Sequence, residues 1–371
     1  MVFIIITLLV VAFWTTYYFS TDRLTQFGGN PEGTRLERLK QSPQYNGEKF
    51  VNEQETGLSW GISGYMKMLS KWFFGKEIRE PEGVIPIIQL TSASFKKESR
   101  EDLRVTWLGH STALIEINGY RILTDPVWSK RCSPSTLTGP ARFYPVPISL
   151  DDVPHLDAII ISHDHYDHLD KDAVRILAAT GVPFYVPLGV GAHLEKWGIV
   201  QSQIFEMDWW DSVSVTSELD LIATPARHFS GRGISMGSNL TLWTSWVIIG
   251  PSYRMFFSGD TGEFPGLADI GQRYGPFDLT MIESGAYDKL WPDLHLNPRQ
   301  AVAAHLALRG GVLMPIHWGT FNLAYHDWFE PPEWLVKEAL PKNTRLAIPR
   351  PGQTFTVSDP PEIDYWWRYV K

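Results

Sequence analysis

The stretch His163-Asp164-His165-Tyr166-Asp167-His168 limits what this chain can be more than any other. It follows Asp157-Ala158-Ile159-Ile160-Ile161, an apolar run that reads as a buried strand, so the polar residues leave that strand on a loop. At this spacing the side chains converge in two sets, His163 with His165 and Asp167 with His168. Imidazole nitrogen and carboxylate oxygen are ligands that suit Zn²⁺, and related divalent ions less selectively. Two ions need more ligands than one loop supplies. His228 follows Leu221-Ile222-Ala223-Thr224-Pro225, Asp260 follows Phe256-Phe257-Ser258-Gly259, and His317 follows Val312-Leu313-Met314-Pro315-Ile316. Each candidate lies just past an apolar strand, where an open sheet presents its functional side chains.

The surrounding pattern fits an α/β chain built as layered sheets flanked by helices. Residues 104–108, 113–117 and 120–124 read as strands, with Asn118-Gly119 as a hairpin turn. Further strands are predicted at 184–186, 219–223, 245–249, 254–257, 279–282 and 312–316, and helices at 170–179 and 298–308, the latter capped by Asn297. Residues 126–155 are proline-rich and aperiodic, and a loop of that length in a compact domain is usually functional.

The metal pattern resembles the metallo-β-lactamase superfamily. Trp107-Leu108-Gly109-His110-Ser111-Thr112, Leu123-Thr124-Asp125-Pro126, Gly139-Pro140-Ala141-Arg142-Phe143, Asp208-Trp209-Trp210, Gly275-Pro276-Phe277-Asp278 and Ile316-His317-Trp318-Gly319-Thr320-Phe321 resemble its N-acylphosphatidylethanolamine-hydrolysing phospholipase D branch. The resemblance implies a four-layer αβ/βα sandwich. It implies two zinc ions, one bound by His163, His165 and His228, the other by Asp167, His168 and His317, with Asp260 bridging. It also implies hydrolysis of N-acylphosphatidylethanolamine to phosphatidic acid and an N-acylethanolamine. Asp167 and Asp260 thus count as catalytic, together with His295, which resembles a family position near the mouth and suits phosphate contact or proton donation. Two rival readings remain: the same fold hydrolysing a soluble phosphoester or lactone, and a non-catalytic membrane-tethered module using its metals structurally.

Asp125 reads either as a partner orienting a ligand imidazole or as a turn former, and His110 either as a site residue or as a structural one. Asp164 and Tyr166 are assigned to loop structure. His155, His193, His305 and His326 are assigned to surface or core.

Residues 2–21 carry no charged side chain, and Phe3–Phe19 as a helix would span about 26 Å. An N-terminal transmembrane anchor, or uncleaved signal, is expected at 1–21, since the start lacks a basic residue and the exit lacks small ones. Arg23, Arg35, Arg38 and Lys40 then lean towards a cytoplasmic body. Residues 22–102 read as linker plus an amphipathic helix near 62–76, either packed on the body or laid on lipid headgroups, and 103–371 as the hydrolase domain. The formal charge of −8 gives no support to nucleic-acid binding. Cys132 is the single cysteine, which excludes a disulfide framework and a multi-cysteine zinc site. A phospholipid substrate and a membrane are the partners expected; oligomeric state is not legible.

Overall fold

The computed structural model describes residues 25–56, 62–95, 102–232 and 238–370. The anchor expected at 1–21 lies outside the described residues. Among those described, no helix is long and apolar enough to cross a membrane.

The strands are β1 (Leu103–Gly109), β2 (Thr112–Ile117), β3 (Tyr120–Thr124), β4 (Ala158–Ile160), β5 (Phe184–Pro187), β6 (Ile204–Met207), β7 (Ser212–Thr216), β8 (Leu219–Thr224), β9 (Ser245–Ile249), β10 (Arg254–Phe257), β11 (Phe277–Glu283), β12 (Gly310–Ile316), β13 (Arg345–Leu346) and β14 (Thr354–Thr356). The helices are α1 (Gly33–Leu39), α2 (Ile62–Phe74), α3 (Lys171–Ala178), α4 (Gly191–Lys196), α5 (Gly266–Tyr274), α6 (Pro298–Ala307) and α7 (Glu330–Ala339). They form two mixed seven-stranded sheets, β14-β1-β2-β3-β4-β5-β6 and β13-β12-β11-β10-β9-β8-β7. Each sheet joins an antiparallel half, β14 to β3 or β7 to β10, to a parallel half, β4 to β6 or β11 to β13. The two sheets therefore repeat one plan.

Alternation sorts the strand residues into layers. Ala158 and Ile160 of β4 join the cluster that links the two sheets, with Trp107, Trp246, Phe256 and residues of α5 to α7. Ile159 and Ile161 point the other way, into a cluster with Val174 and Leu177 of α3 and Leu194 of α4. The order is helices, sheet, sheet, helices. Both faces of β4 are covered, which is why its sequence is a continuous apolar run. Trp107 and Trp246 are fully buried, each worth about 1.5–3 kcal/mol or more by transfer.

The described residues before β1 make contacts with the body. Leu39 and Phe50 pack with Leu188, Trp209 and Trp243, and Asn52 donates to the backbone carbonyl of His228. Helix α2 falls within the expected 62–76 and touches the body on one side only. Lys71 pairs with Asp288 at 2.6 Å and Trp72 meets Tyr325 edge-on, while Met66, Leu69, Phe73 and Phe74 are exposed.

Candidate metal centre

One end of the two sheets carries every site residue. β1 ends at His110, β3 at Asp125, β4 opens into 163–168, and β8, β10 and β12 run into His228, Asp260 and His317. His163 Nε2 lies 2.9 Å from His165 Nδ1, and His228 Nε2 lies 3.4 Å from that same Nδ1. Beside them, His168 Nε2 and His317 Nε2 lie 3.5 and 3.3 Å from Asp167 Oδ2. Asp260 stands between the sets. Its Oδ1 is 3.2 Å from His168 Nε2, and its Oδ2 is 3.1 Å from His317 Nε2, 3.8 Å from His163 Nε2 and 3.7 Å from His228 Nε2. All seven residues named from the sequence thus meet in one place.

Their ring orientations are set from behind. Ser162 gives its backbone N–H and its hydroxyl to Asp125, whose Oδ2 sits 2.7 Å from His168 Nδ1. His168 therefore donates from Nδ1 and turns Nε2 inward, so that the lone pair uncovered when a cation displaces its proton faces the site. With the Ser162 proton on Asp125, the Ser162 oxygen is left to accept from His163 Nδ1 at 2.9 Å. His228 Nδ1 donates to the Leu294 carbonyl at 3.0 Å. So Asp125 acts as an orienting partner. His110 also belongs to the site: its Nε2 is 3.1 Å from Asp167 Oδ2, and its ring packs against His317.

Electrostatics follow from burial and crowding. Burial, with the nearby His168 and His165, holds the His163 imidazole well below its ordinary pKa; burial likewise lowers His165 and His228. These rings are neutral, the form that binds metal. For His317 burial opposes protonation, but Asp260 and the bonds to Asp167 and Asp260 outweigh it and raise the pKa to about 10. His168 is raised in the same way, and burial of Asp167 and Asp260 is overcome by the facing imidazoles, so both carboxyls stay well below the usual range.

The donor set fits divalent ions. With Nδ1 of each ring donating outward, His163 Nε2 and His228 Nε2 turn their lone pairs towards the same His165 Nδ1. His165 Nε2 is buried without a hydrogen-bond partner, and His168 Nε2 faces the carboxylates of Asp167 and Asp260. Cations satisfy such groups; apolar filling would not.

Glu283, the last residue of β11, was not singled out by the sequence reasoning. It is fully buried, accepts from the backbone N–H of Thr261 and of Leu296, and holds His295 Nδ1 at 2.7 Å. Burial and the Asp260 charge raise its pKa well above that of an ordinary carboxyl. The available signal was an ionisable residue closing an apolar strand. His295 itself lies 3.9 Å from Asp260, and burial lowers its pKa to about 4. Asp164 holds the loop, accepting from His193 Nε2 at 3.1 Å and from the Gly231 N–H. Tyr166 carries the Arg232 guanidinium over its ring. His193 and His305 are buried, His155 is exposed, and His326 stacks on Tyr287 away from the cluster.

A cleft of about 430 Å³ opens on His165 and Asp167. Its walls are chiefly apolar, with Phe27, Tyr166, Phe229, Leu323 and the 132–140 part of the long proline-rich loop.

Comparison with known proteins agrees with this geometry. A family model described as a beta-lactamase superfamily domain matches residues 120–318. An uncharacterized protein of Mycobacterium tuberculosis is 46% identical over 89% of this chain and 88% of its own length. N-acyl-phosphatidylethanolamine-hydrolyzing phospholipase D 1 of Caenorhabditis elegans is 35% identical over 85% of this chain and 95% of its own. Among solved structures, the metallo hydrolase Igni18 of Ignicoccus hospitalis shares the fold with a TM-score of 0.53, at 24% identity over 68% of this chain and 97% of that one. The chain therefore belongs to the metallo-β-lactamase superfamily, with N-acylphosphatidylethanolamine-hydrolysing phospholipase D among its relatives, and is a metal-dependent hydrolase.

Proposed function

We propose that this hydrolase is a phospholipase D-type phosphodiesterase that cleaves N-acylphosphatidylethanolamine to phosphatidic acid and an N-acylethanolamine, with two zinc ions as cofactor. The observation that carries the reading is the apolar-walled cleft whose floor is His165 and Asp167. A small charged phosphoester gains little from such walls, whereas a lipid buries its chains against them. The activity in the nematode relative's name supports the same substrate class.

In this reading His163, His165 and His228 would hold one ion and Asp167, His168 and His317 the other, with Asp260 available to both. When bound, the ions supply Lewis acidity, for activating water and for withdrawing charge from phosphoryl oxygens. The chain's own groups do the rest. Asp125, Ser162 and the Leu294 carbonyl keep the ligand rings fixed, so no reorganisation is needed during reaction. His295, backed by Glu283, is placed to contact a phosphoryl oxygen or to hand a proton to the departing alkoxide. A lipid chain lying against the apolar walls would displace water from the cleft, which would strengthen each of these interactions.

The exposed stripe Met66, Leu69, Phe73 and Phe74, flanked by the exposed Lys67 and Lys76, suits the surface of an anionic bilayer. An anchor at 1–21 would add to that attachment.

The test uses the full-length, metal-loaded protein with N-acylphosphatidylethanolamine in mixed micelles. Mass spectrometry should detect N-acylethanolamine release that stops on chelation. Hydrolysis of a soluble phosphodiester or lactone without any such release would reassign the site to a soluble substrate.

A further inference from the structure

The segment Gln26-Phe27-Gly28-Gly29-Asn30-Pro31 has the composition of a linker, yet it is strapped to the metal loop. The Thr25 carbonyl accepts from Trp197 Nε1 at 2.6 Å, and the Thr25 hydroxyl accepts from Lys171 Nζ at 2.8 Å. Gly29 N–H donates to His193 Nδ1 at 3.1 Å. That bond leaves the His193 proton on Nε2, where it is given to Asp164, between the ligands His163 and His165. Arg232 completes the clamp. Its Nε donates to the Gln26 carbonyl, and its Nη1 donates to the carbonyls of Asp164 and Leu169, so one buried guanidinium ties strap and metal loop together.

The two glycines are required by this docking. Gly28 has φ +78°, and a Cβ there would overlap the His193 ring. A Cβ on Gly29 would overlap the Ala192 carbonyl oxygen. The close approach brings Phe27 into the wall of the cleft that holds His165 and Asp167, a wall it shares with the 132–140 loop, Phe229 and Leu323.

We propose that the strap 25–30 is part of the substrate pocket and that Phe27 is a specificity-determining residue, limiting how far an apolar chain extends from the metals. The inference rests on the lipid phosphodiester reading for the identity of that chain. Phe27 is an end wall: chain carbons short of it gain by burial, and carbons beyond it meet the ring or turn out to solvent. Each methylene that finds apolar cover gains roughly fourfold in affinity.

The experiment measures Kd of monoalkyl phosphates of graded length on the metal-loaded, full-length protein by calorimetry. Affinity should rise with length and then level off. Phe27→Ala should move the plateau outward by two or more carbons and tighten the longest ligand about tenfold, while Phe27→Trp should move it inward. Gly29→Ala, which lifts the strap without touching the cleft, should copy Phe27→Ala. Trp197→Phe, which deletes the bond to Thr25 and trims the ring that stacks on His193 and faces Arg232, replaces it if that variant fails to fold. Metal content and thermal melting identify any variant that has not folded. Profiles that keep one plateau in every folded variant, or a wild type with no length dependence, overturn the proposal. Turnover of the N-acylated lipid is scored separately, so its absence beside an intact length profile counts against the substrate reading and not against the strap.

Discussion

A buried neutral imidazole offers a lone pair from only one of its nitrogens, and its neighbours decide which. Asp125 makes that decision for His168, and the Asp125–Ser162 pair makes it for His163. Asp125→Asn should therefore weaken metal binding about 10- to 100-fold in competition with a chromophoric chelator, while leaving the fold intact. Unchanged affinity would remove Asp125 from this role. His295→Ala should behave in the opposite way, retaining the metals and losing about 10²–10⁴ in turnover; loss of metal would show that His295 is a ligand instead. These two residues were unequally legible. His295 was found through its resemblance to a family position. Asp125 also looked like a turn residue, because its partnership depends on β3 pairing with β4 in parallel, Thr124 opposite Ile160. Nothing local in the sequence announces that register. Glu283 was hidden for a related reason: its contacts with Thr261, Leu296 and His295 come from two different loops, and the residue looks from the sequence like a strand's polar end.

At the scale of elements, the strands missed by the sequence reading share one property. β6, β7, β13 and β14 are the four sheet edges. An edge strand is covered on fewer sides, so its sequence need not be an apolar run: β7 is Ser-Val-Ser-Val-Thr and its residues are exposed or half-buried. The interior strands, largely apolar and mostly buried, were readable. Helix α6 was readable for another reason, since Asn297 and Gln300 form a capping box before a first-turn proline. Helix α2 is the element whose position the apolar pattern alone could not settle. Its stripe of Tyr65, Met68, Leu69, Trp72 and Phe73 at helical spacing suits either a packed face or one laid on lipid, and Leu69, Trp72 and Phe73 are exposed, as are Met66 and Phe74 beside them. Changing Phe73 and Phe74 to Glu should cut co-sedimentation with anionic vesicles about tenfold or more, through lost apolar insertion and added repulsion. Metal content and hydrolysis of a soluble diester should stay within about twofold. Unaltered vesicle binding would assign that stripe to another partner.

Across the whole molecule, the cluster draws on both sheets. The first supplies His163, His165, Asp167 and His168, and the second supplies His228, Asp260 and His317. Bound ions would thus pin the two halves to each other, and occupancy at a thousand times Kd adds about 4 kcal/mol to folding stability. Chelation should lower the melting temperature by several degrees, with a pH signature. In the metal-free chain the His317 pKa is raised to about 10 by Asp260 and Asp167 against the effect of burial. The stability from that proton is complete below the unfolded value and is lost as pH rises through about 10. A cation must displace the proton, so zinc binding near neutral pH should release it, and affinity should strengthen as the solution becomes more alkaline. Titration calorimetry in buffers of different ionisation enthalpy measures this directly; zero proton release would mean that His317 is already neutral.

The docking of Phe27 at the cleft has a consequence for how catalysis scales with substrate supply. Only five residues separate Phe27 from Thr21, where the uncharged N-terminal run ends, and the six steps between them reach at most about 20 Å. If that run were inserted in a bilayer, as proposed above, so short a connection would keep the mouth close to the lipid headgroups. The reaction would then be governed by the mole fraction of substrate in the surface, and diluting the lipid with inert detergent at constant bulk concentration would slow it.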